Sequence, residues 1–273
     1  MNLKKALTIA GSDSCGGAGI QADLKTFSAH GVYGMSVITA VTAQNTQGVF
    51  AVQDIESDII EKQIKAIFDD IHVDSVKIGM VSQIDTIKTI ANGLKKYNPN
   101  HIVLDPVMIS KSGYDLLNPE AKEALINELL PLATITTPNT PEAEVITDIK
   151  ISSIKDMETA GKAIYTLGAK NVLIKGGHLL SKTNGVAIDV LYDGKMYYYF
   201  KHPIIETKNT HGTGCTLSSA IASNLALGYS TNKSVQLAKN YITTAIKHSL
   251  SIGKGVGPTN HFYNLYKEAG KSQ

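Results

Sequence analysis

The sequence predicts an α/β fold with a mostly parallel sheet, and two patterns carry this prediction. Short runs rich in β-branched residues alternate with longer amphipathic segments along most of the chain, as in consecutive β-α-β units. Glycine-rich or polar residues follow several of these runs, at the strand ends where open α/β sheets bind ligands. The 273 residues contain no low-complexity linker or charge block, so we expect residues 1–273 to form a single domain.

The strand predictions rest on short runs of Val, Ile and Thr that turn residues separate. In chain order these runs are residues 6–10, 32–44, 73–79, 101–107, 133–137, 171–176, 186–192 and 196–200. Asp193 and Gly194 lie between the last two runs and predict a hairpin turn.

The helix predictions rest on apolar residues that recur at helical spacing between the strands. At 57–70, for example, Ile60, Ile64, Ile67 and Phe68 share one face. The other helices are predicted at 82–97, 119–130 and 152–168, and the tail at 217–269 is expected to be nearly all helical, with breaks at Gly228 and around 253–258.

The composition favours a small-molecule partner. Lys and Arg number 26 against 24 Asp and Glu, so there is no net field to attract nucleic acid or an anionic membrane surface. The apolar run at 6–10 is too short for a signal peptide, and no run approaches the ~18 apolar residues of a membrane span. The two cysteines form no disulfide framework, so we expect a cytoplasmic protein with reduced thiols.

The stretch at 211–220 is the most informative in the chain. Gly212 and Gly214 form a turn before apolar residues at near-helical spacing, so Cys215 is predicted in the first turn of a helix. Unpaired N–H groups at a helix start favour a phosphate or an oxyanion, and the same field lowers some thiol pKa values to between ~3.5 and ~7.5. Cys215 is therefore a candidate base or nucleophile, balanced almost evenly against a packed cysteine behind a structural turn.

The glycine-rich loop at 11–23 fits neither common nucleotide motif. Gly17, Gly19 and Ala22 match a dinucleotide fingerprint in spacing only, since they begin well beyond the strand, and a P-loop requires lysine where Gly17 stands. We expect a glycine-lined lid or floor whose backbone groups reach a small planar substrate. Asp23 is predicted in the first turn of the next helix, where complementing the helix dipole is favoured over binding a hydroxyl.

Carboxylates follow two of the predicted strands. Asp105 ends one, and Glu142 begins a helix that Asn139 or Thr140 is expected to cap, with Pro141 at its first position. Capping explains most of this second pattern. The same carboxylates nevertheless form the type of cluster that holds Mg²⁺ through water beside substrate phosphates. Asp105 and Glu142 are therefore the candidate metal residues if the turn before the helical cysteine binds phosphate.

A lysine and two glycines end a further predicted strand. Lys175 and Gly177 suit a nucleotide phosphate or sugar edge, although Lys175 equally fits a solvated strand end. The other histidines, including His72, His101 and His248, form no metal-ligand pattern with the two cysteines, and no zinc site is predicted.

Segments along nearly the whole chain resemble one enzyme family, the hydroxymethylpyrimidine/phosphomethylpyrimidine kinases. They are residues 7–13, 16–27, 43–46, 77–80, 105–108, 137–139, 141–144, 175–178 and 210–216. Each motif alone is weak, but so many in the same order make the resemblance specific. It implies a ribokinase-like fold, which is a three-layer α/β/α sandwich with a mostly parallel central sheet.

The resemblance also implies an activity. Members of this family use ATP to phosphorylate the alcohol of 4-amino-5-hydroxymethyl-2-methylpyrimidine, and then phosphorylate the monophosphate to the diphosphate used in thiamine synthesis. The implied cofactors are ATP and Mg²⁺, the partners are the small pyrimidine and ATP, and the implied assembly is a homodimer.

Catalytic roles follow by the same resemblance. Gly212, Thr213 and Gly214 are expected to form an anion hole, and Cys215 stands where most related kinases carry an aspartate base. We hypothesise that a partly ionised Cys215 accepts the proton of the alcohol while N–H groups, Mg²⁺ and Lys175 hold the γ-phosphate. The second phosphorylation needs little base because its acceptor is already charged.

Binding roles are implied as well. Asn139 and Glu142 match an Asn-x-x-Glu element near Mg²⁺ and phosphate. The implied substrate-binding residues are Gly11, Ala18, Asp23, Gln44, Met80 and Val107. Gln44 is chemically apt, because a carboxamide can donate to and accept from a ring nitrogen and the amino group of an aminopyrimidine.

Three other functions compete with this reading. A pyridoxal kinase is the nearest, since a related branch of cysteine-bearing kinases acts on B6 vitamers, although Gln44 favours the pyrimidine. A cysteine hydrolase or acyltransferase would pair Cys215 with His211 as base and need no ATP. A non-catalytic nucleotide- or vitamin-binding module would bind ligand without releasing ADP.

Overall fold

The computed structural model describes residues 3–108, 120–177 and 185–271. Pro119, the predicted start of one helix, and His178, the last residue of one quoted motif, lie outside the described residues. Every candidate site residue named above lies within them.

The described strands form one sheet. They are β1 (Lys5–Asp13), β2 (Tyr33–Asn45), β3 (Gly48–Asp54), β4 (Ser75–Ile78), β5 (Ile102–Leu104), β6 (Ile135–Thr136), β7 (Val172–Ile174), β8 (Val186–Tyr192) and β9 (Tyr197–Pro203). Their order is β3-β2-β1-β4-β5-β6-β7-β8-β9. The block from β2 to β7 is parallel, whereas β3, β8 and β9 each pair antiparallel with the preceding strand. The predicted mostly parallel sheet is confirmed.

The helices are placed between and after these strands. They are α1 (Gly19–Ala29), α2 (Ser57–Phe68), α3 (Ile84–Tyr97), α4 (Ala121–Ala124), α5 (Thr140–Thr147), α6 (Ile154–Thr166), α7 (Thr213–Ala226), α8 (Thr231–Lys247) and α9 (Tyr263–Glu268). Helix α4 continues into a π-helical turn at Leu125–Leu129 and a 3₁₀ turn at Leu130–Leu132, so the helix predicted at 119–130 is composite where the structure describes it.

Two buried apolar clusters cover the two faces of the sheet. One face packs against α2, α3 and α6 through residues such as Ile60, Ile90 and Ile164. The other packs against α1, α7 and α8 and includes Phe27 and Ile221. This is the expected three-layer α/β/α arrangement. Within the described residues, no helix combines the length and apolar character needed to cross a membrane.

Two local predictions differ from the structure. Strand β3 is absent from the prediction because it is an edge strand with side chains exposed on both faces, Phe50 at 67%, so its sequence lacks a regular apolar alternation. The C-terminal tail is less helical than expected, because residues 248–262 run without helix between α8 and α9. Pro258 in that segment forms a parallel bridge with His211.

Candidate active site

The candidate active site lies at the carboxyl ends of the parallel strands, where α7 begins. Gly212 takes a left-handed conformation (φ 76°) and caps α7, so Cys215 lies in the first helical turn as predicted. No backbone hydrogen bond between described residues engages the N–H groups of Gly214 or Cys215. These donors sit at the positive end of the helix and are available to an anion.

Glycines let the loop after β1 pack directly on the start of α7. A Cβ at Gly212 would lie 1.7 Å from the carbonyl oxygen of Gly17, and a Cβ at Gly19 would lie 2.3 Å from that of Gly11. Gly19 opens α1, and its backbone N–H is among the groups that act to lower the pKa of the Cys215 thiol. The thiol therefore lies between the N-termini of α1 and α7.

Asp13 organises the loop after β1. Its Oδ1 accepts from the N–H of Cys15 at 2.9 Å, and its Oδ2 accepts from Gly17 at 3.0 Å and Ala18 at 2.8 Å. The same Oδ2 lies 2.8 Å from Nε2 of His211. Although burial raises the pKa of Asp13, the hydrogen bonds from His211, Cys15 and Ala18 lower it to about 2. The carboxylate is thus the ionised centre of this loop.

Gln44 reaches the same loop from the end of β2. Its N–H donates to Oγ of Ser14 at 2.9 Å, and its Oε1 accepts from Oγ1 of Thr42 at 3.2 Å. Its Nε2 lies 3.4 Å from Nε2 of His211. Among the described residues His211 makes no hydrogen bond with Cys215, so the geometry gives no support to a hydrolase that uses this pair.

The structure also places the other predicted substrate residues, Gly11, Ala18, Met80 and Val107. Gly11 packs on Met80 so closely that a Cβ would lie 2.5 Å from the Met80 methyl carbon. Ala18 caps α1 and is partly exposed. Val107 follows β5 and is also partly exposed. We name the acceptor half as Gly11, Asp13, Ala18, Gln44, Met80, Val107 and His211.

Asp23 occupies a different position from the one predicted. It lies beyond the first turn of α1, fully buried, so it does not complement the helix dipole. Its carboxylate accepts from Thr8 Oγ1 at 2.6 Å, from Ser219 Oγ at 2.6 Å and from Lys77 Nζ at 2.8 Å. With both oxygens engaged and no exposed surface, Asp23 supports the site from beneath and offers no free face to a substrate.

Lys77 is the buried partner of Asp23, and both side chains are 0% exposed. Although burial lowers the pKa of Lys77, the negative charges of Asp23 and Asp105 raise it above its ordinary value, so the ammonium remains charged. No role for Lys77 is predicted from the sequence. A lysine inside an apolar strand is the signal that points to such a pair, because an unpaired buried charge is strongly unfavourable.

A charged cluster occupies the other side of the thiol. Nζ of Lys175 lies 3.0 Å from Oδ1 of Asp105, which also accepts from Oγ1 of Thr137 at 3.1 Å. A Cβ at Gly214 would lie 3.4 Å from Asp105 Oδ2 and 3.5 Å from Lys175 Nζ, so the first turn of α7 faces the pair. Burial raises the pKa of Asp105, but the neighbouring lysines hold it below its ordinary value. Lys175 is therefore a paired residue and not a solvated strand end.

Glu142 joins this cluster through the start of α5. Asn139 caps the helix, and a capping box links its N–H to Glu142 Oε2 at 2.7 Å and the N–H of Glu142 to its Oδ1 at 2.8 Å. Pro141 is the second helical residue instead of the first. Oε2 of Glu142 lies 4.0 Å from Nζ of Lys175. Burial and the charge of Asp105 raise the pKa of Glu142 to about 7, against the opposing effect of Lys175.

The protonation state of Cys215 is not the one predicted from the sequence, which was a partly ionised thiol. Burial raises its pKa to about 11, and the charges of Asp23 and Asp105 act in the same direction. Lys77 and the N–H of Gly19 oppose this shift without cancelling it. The prediction from the helix field is therefore wrong for this structure, because enclosure and nearby carboxylates outweigh the positive helix ends.

The other predicted residues contribute unequally. Thr213 is the first residue of α7, and its N–H lies 3.4 Å from the carbonyl oxygen of Thr210. Gly177 is exposed, and a Cβ there would meet no atom within 4 Å, so it lies outside the cluster. We name the phosphate half as Asp105, Asn139, Glu142, Lys175, Thr213 and Gly214, with Cys215 at its boundary with the acceptor half.

The C-terminal segment supports the turn before α7. Oγ1 of Thr216 donates to the carbonyl oxygen of Gly212 at 2.8 Å and lies 3.0 Å from Nε2 of His261. The N–H of His211 donates to the carbonyl oxygen of Gly257 at 3.0 Å. Burial lowers the pKa of His261 to about 4, so its ring is neutral. The residues in two of these contacts, Thr216 with His261 and His211 with Gly257, are far apart in the sequence, so no local spacing predicts them.

Comparison with known proteins identifies relatives over nearly the full length. The sequence model of the family described as phosphomethylpyrimidine kinase matches residues 13–260. The hydroxymethylpyrimidine/phosphomethylpyrimidine kinase of Rhizobium meliloti (strain 1021) is 51% identical over 266 residues, which cover 96% of this chain and 98% of the relative. The enzyme of the same name from Bacillus subtilis (strain 168) is 46% identical over 262 residues, 96% of each chain.

Solved structures are similar as well. A phosphomethylpyrimidine kinase from Clostridium difficile 630 superposes with a TM-score of 0.80 at 59% identity, covering 89% of this chain and 100% of that one. An ADP complex of Bacillus subtilis pyridoxal kinase superposes with a TM-score of 0.88 at 42% identity, covering 96% and 98%. A Staphylococcus aureus pyridoxal kinase in complex with AMP-PCP gives 0.88 at 37% identity, covering 96% and 94%.

Proposed function

This chain belongs to the phosphomethylpyrimidine kinase family, and on that premise we propose that it phosphorylates 4-amino-5-hydroxymethyl-2-methylpyrimidine and then its monophosphate, with ATP as donor, in thiamine biosynthesis. One observation carries the proposal. The thiol of Cys215 lies between two helix N-termini, at the boundary between a hydrogen-bonding acceptor half and a charged phosphate half. A group at this position can accept the proton of the acceptor hydroxyl as that hydroxyl attacks the transferred phosphate.

The acceptor half suits an aminopyrimidine. The carboxamide of Gln44 can donate to a ring nitrogen and accept from the exocyclic amino group. Its Oε1 and Nε2 lie against Thr42 and His211, which limits the positions it can take. Gly11 and Met80, which pack on each other, add uncharged groups to the acceptor half. We therefore assign recognition of the ring to Gln44 and its neighbours.

The phosphate half suits a transferring phosphoryl group. The free N–H groups of Gly214 and Cys215 point out of the helix start, and Lys175 brings a positive charge to the same side. Preorganised donors of this kind stabilise charge as it develops on the phosphate oxygens. Little covalent chemistry is required of the protein, because positioning and charge neutralisation supply most of the catalysis.

Cys215 is the proposed base for the first phosphorylation. With a pKa of about 11, it is a strong base when ionised but is rarely ionised near neutral pH. Its thiolate takes the proton of the alcohol as the oxygen attacks the γ-phosphorus, and the bond from that phosphorus to the ADP oxygen breaks. In the second phosphorylation a phosphate oxygen attacks, and no base is needed because the nucleophile is already anionic.

The residues at the phosphate half fit Mg²⁺. Asp105 and Glu142 bring two carboxylates to the one ammonium of Lys175, at 3.0 Å and 4.0 Å, and carboxylate oxygens are ligands that Mg²⁺ prefers. We propose that these two carboxylates hold Mg²⁺ through water, while Asn139 fixes Glu142 by the capping box. When bound, the ion neutralises oxygens of the nucleotide phosphates.

Pyridoxal is the second candidate acceptor. The similar structures named as pyridoxal kinases, at 37% and 42% identity, share the arrangement of the whole chain. A pyridine with a hydroxymethyl group presents the same alcohol to the thiol. Gln44 favours the aminopyrimidine, which has an extra donor to satisfy its carbonyl oxygen, so pyridoxal is proposed as a side activity.

Acceptor-dependent ADP release tests the proposal. Purified protein with Mg-ATP is assayed separately with the hydroxymethylpyrimidine, its monophosphate and pyridoxal, and products are identified by mass. We expect turnover with both pyrimidines and less with pyridoxal. Release with pyridoxal alone would overturn the substrate assignment, and product formation without nucleotide would favour a hydrolase or acyltransferase.

Assembly and location are proposed on the family resemblance alone. We propose a homodimer in the cytoplasm, as is common for such kinases. Light scattering of the purified protein measures the first, and fractionation of cells measures the second.

A further inference from the structure

A group of metal-ligating side chains lies on the acceptor half, apart from the carboxylates assigned to Mg²⁺. Asp13, Cys15 and His211 each offer one ligand atom, and these atoms all lie within 4.8 Å of one another. Oδ2 of Asp13 lies 2.8 Å from Nε2 of His211 and 3.6 Å from Sγ of Cys15. The sequence predicts no zinc site, because the histidine comes from the far end of the chain and only the fold brings it to the loop after β1.

We propose that Asp13, Cys15 and His211 form a binding site for Zn²⁺. A thiolate, an imidazole and a carboxylate are the ligand types that Zn²⁺ takes in proteins, whereas Mg²⁺ prefers oxygen ligands alone. Three protein ligands leave a fourth position for water, as in zinc sites that remain open. The amide nitrogen of Gln44 lies 3.4 Å from the His211 nitrogen, so Gln44 is a neighbour of the proposed site.

Two of the three spacings between ligand atoms are close to what tetrahedral zinc requires, and the third, between Cys15 and His211, lies within 4.8 Å and closes as the cation enters. Bonds of roughly 2.0–2.3 Å place neighbouring ligand atoms about 3.3–3.6 Å apart. The contact between Asp13 and Cys15, at 3.6 Å, meets this condition as it stands. The 2.8 Å contact between Asp13 and His211 must open by roughly half an ångström, a shift within reach of one side-chain rotation.

Protons leave when the cation enters. The thiol of Cys15 gives its proton to solvent and binds as thiolate, and His211 carries its proton on Nδ1 so that the Nε2 lone pair faces the metal. Asp13 keeps the hydrogen bond from the N–H of Cys15 to Oδ1 while Oδ2 exchanges one of its donors for the metal, so the carboxylate stays anchored as it binds.

Such a cation would join two loops that the reaction uses. Asp13 is the last residue of β1 and Cys15 lies in the loop after it, whereas His211 directly precedes Gly212 at the start of α7. With zinc bound, both loops are fixed together, and the amide nitrogen of Gln44, 3.4 Å from His211 Nε2, must move because that ring nitrogen now binds the metal. We therefore expect Zn²⁺ to inhibit use of the acceptor. The binding itself does not depend on the proposed reaction.

Direct binding is measured on the full chain without nucleotide. Co²⁺, which reports thiolate ligation by a charge-transfer absorption band, is titrated in and then displaced with Zn²⁺. We expect one such band per chain, lost in Cys15→Ser and kept in Cys215→Ser, since the chain offers only these two thiols. Absence of the band, or a band that disappears in Cys215→Ser and persists in Cys15→Ser, would overturn the site.

Inhibition gives a second readout. Cys15 belongs to neither half of the site as defined above, and its Sγ contacts Asp13 Oδ2 at 3.6 Å, so Cys15→Ser should keep the basal rate. At saturating Mg-ATP, we expect the Zn²⁺ concentration for half inhibition to rise at least ~10-fold in this variant. Equal zinc sensitivity in Cys15→Ser and the natural chain would contradict the inhibitory role. The Co²⁺ band stays informative if the protein proves to use another acceptor.

Discussion

The two halves of the site are held together by different forces. In the acceptor half, a single ionised carboxylate, Asp13, organises backbone N–H groups and a ring around neutral residues such as Gln44. In the phosphate half, buried charges of both signs alternate, with Lys175 between Asp105 and Glu142. Hydrogen bonds read the shape and polarity of a ring, whereas fixed charges neutralise a phosphate.

This difference explains how one site serves two phosphorylations. Both steps use the same phosphate half, because both transfer the γ-phosphate of ATP. They differ in the nucleophile, which is a neutral alcohol first and an anionic phosphate second. In the proposed mechanism, Cys215 lies at the boundary of the two halves, and its thiolate is needed only when the nucleophile carries a proton to lose.

Removing the charge of the phosphate half should have the largest effect of the changes that test this comparison. Lys175→Met removes the ammonium that Asp105 and Glu142 share and deletes the cation beside Gly214, so we expect kcat to fall by ~10²–10³ with both acceptors. Steady-state kinetics with each acceptor measures this. A loss confined to one acceptor would contradict a shared phosphate half.

A surface lysine provides the matched control. Nζ of Lys4 pairs with Asp74 at 2.9 Å, away from the site. Lys4→Met should lower the free energy of unfolding by no more than ~1 kcal/mol and leave both rates unchanged.

The second-largest effect is expected from disturbing the contact between Gly212 and the loop after β1. Gly212→Ala forces a side chain into a left-handed position and against the carbonyl oxygen of Gly17, 1.7 Å from the new Cβ. The two loops must separate, and a displacement of this size should lower kcat/KM about 100-fold for both acceptors. Gly228→Ala is the control, because Gly228 is also left-handed (φ 92°) but meets no atom within 4 Å. It should cost ~1–2 kcal/mol of stability and little rate.

Truncating the ring-recognition group should act on one half only. Gln44→Ala removes the carboxamide, so we expect kcat/KM for both pyrimidines to fall about 10- to 100-fold, with the KM for ATP unchanged. Gln63→Ala is a matched control. Gln63 lies in α2, and its carboxamide forms hydrogen bonds with the backbone of Ile38, which belongs to β2 as Gln44 does. A rise in the KM for ATP in Gln44→Ala would place Gln44 outside the acceptor half.

The smallest expected effect concerns stability and pH. The pKa of Asp13 falls from 3.8 to about 2 on folding, which corresponds to ~2 kcal/mol of stability. A lowered carboxyl pKa stabilises the folded chain above its unfolded value, so this contribution is full above about pH 4 and is lost as pH falls toward 2. Urea unfolding of the natural chain and Asp13→Asn should therefore give a difference that shrinks between pH 6 and pH 3. A constant difference would show that Asp13 acts without its charge.

Sequence reasoning located those parts of the site that depend on local signals. Gly212 before a helical pattern placed Cys215 in the first turn of α7, and Asn139 with Glu142 announced a helix cap. The parallel order of the strands then follows from the alternation of strands and helices, which brings these separate helix starts to one edge of the sheet.

The features that were missed depend on contacts between distant segments. The ring of His211 meets Asp13 across 198 positions, and Ser219 reaches Asp23 across 196, with no spacing rule to predict either. The prediction of a lowered pKa for the Cys215 thiol was wrong for a related reason. The local helix field is visible in the sequence, but burial and the charge of Asp105 arise only from the folded chain.

The acceptor preference of Cys215→Ala tests the central claim most directly. The ratio of kcat/KM for the hydroxymethylpyrimidine to that for its monophosphate is measured in the natural chain and the variant, with saturating Mg-ATP. If Cys215 is the base for the alcohol alone, the first value falls by ~10²–10⁴ while the second changes by about tenfold or less, so the ratio collapses. Equal losses with both acceptors, or a change within about twofold in the first, would contradict a base at the boundary between the two halves.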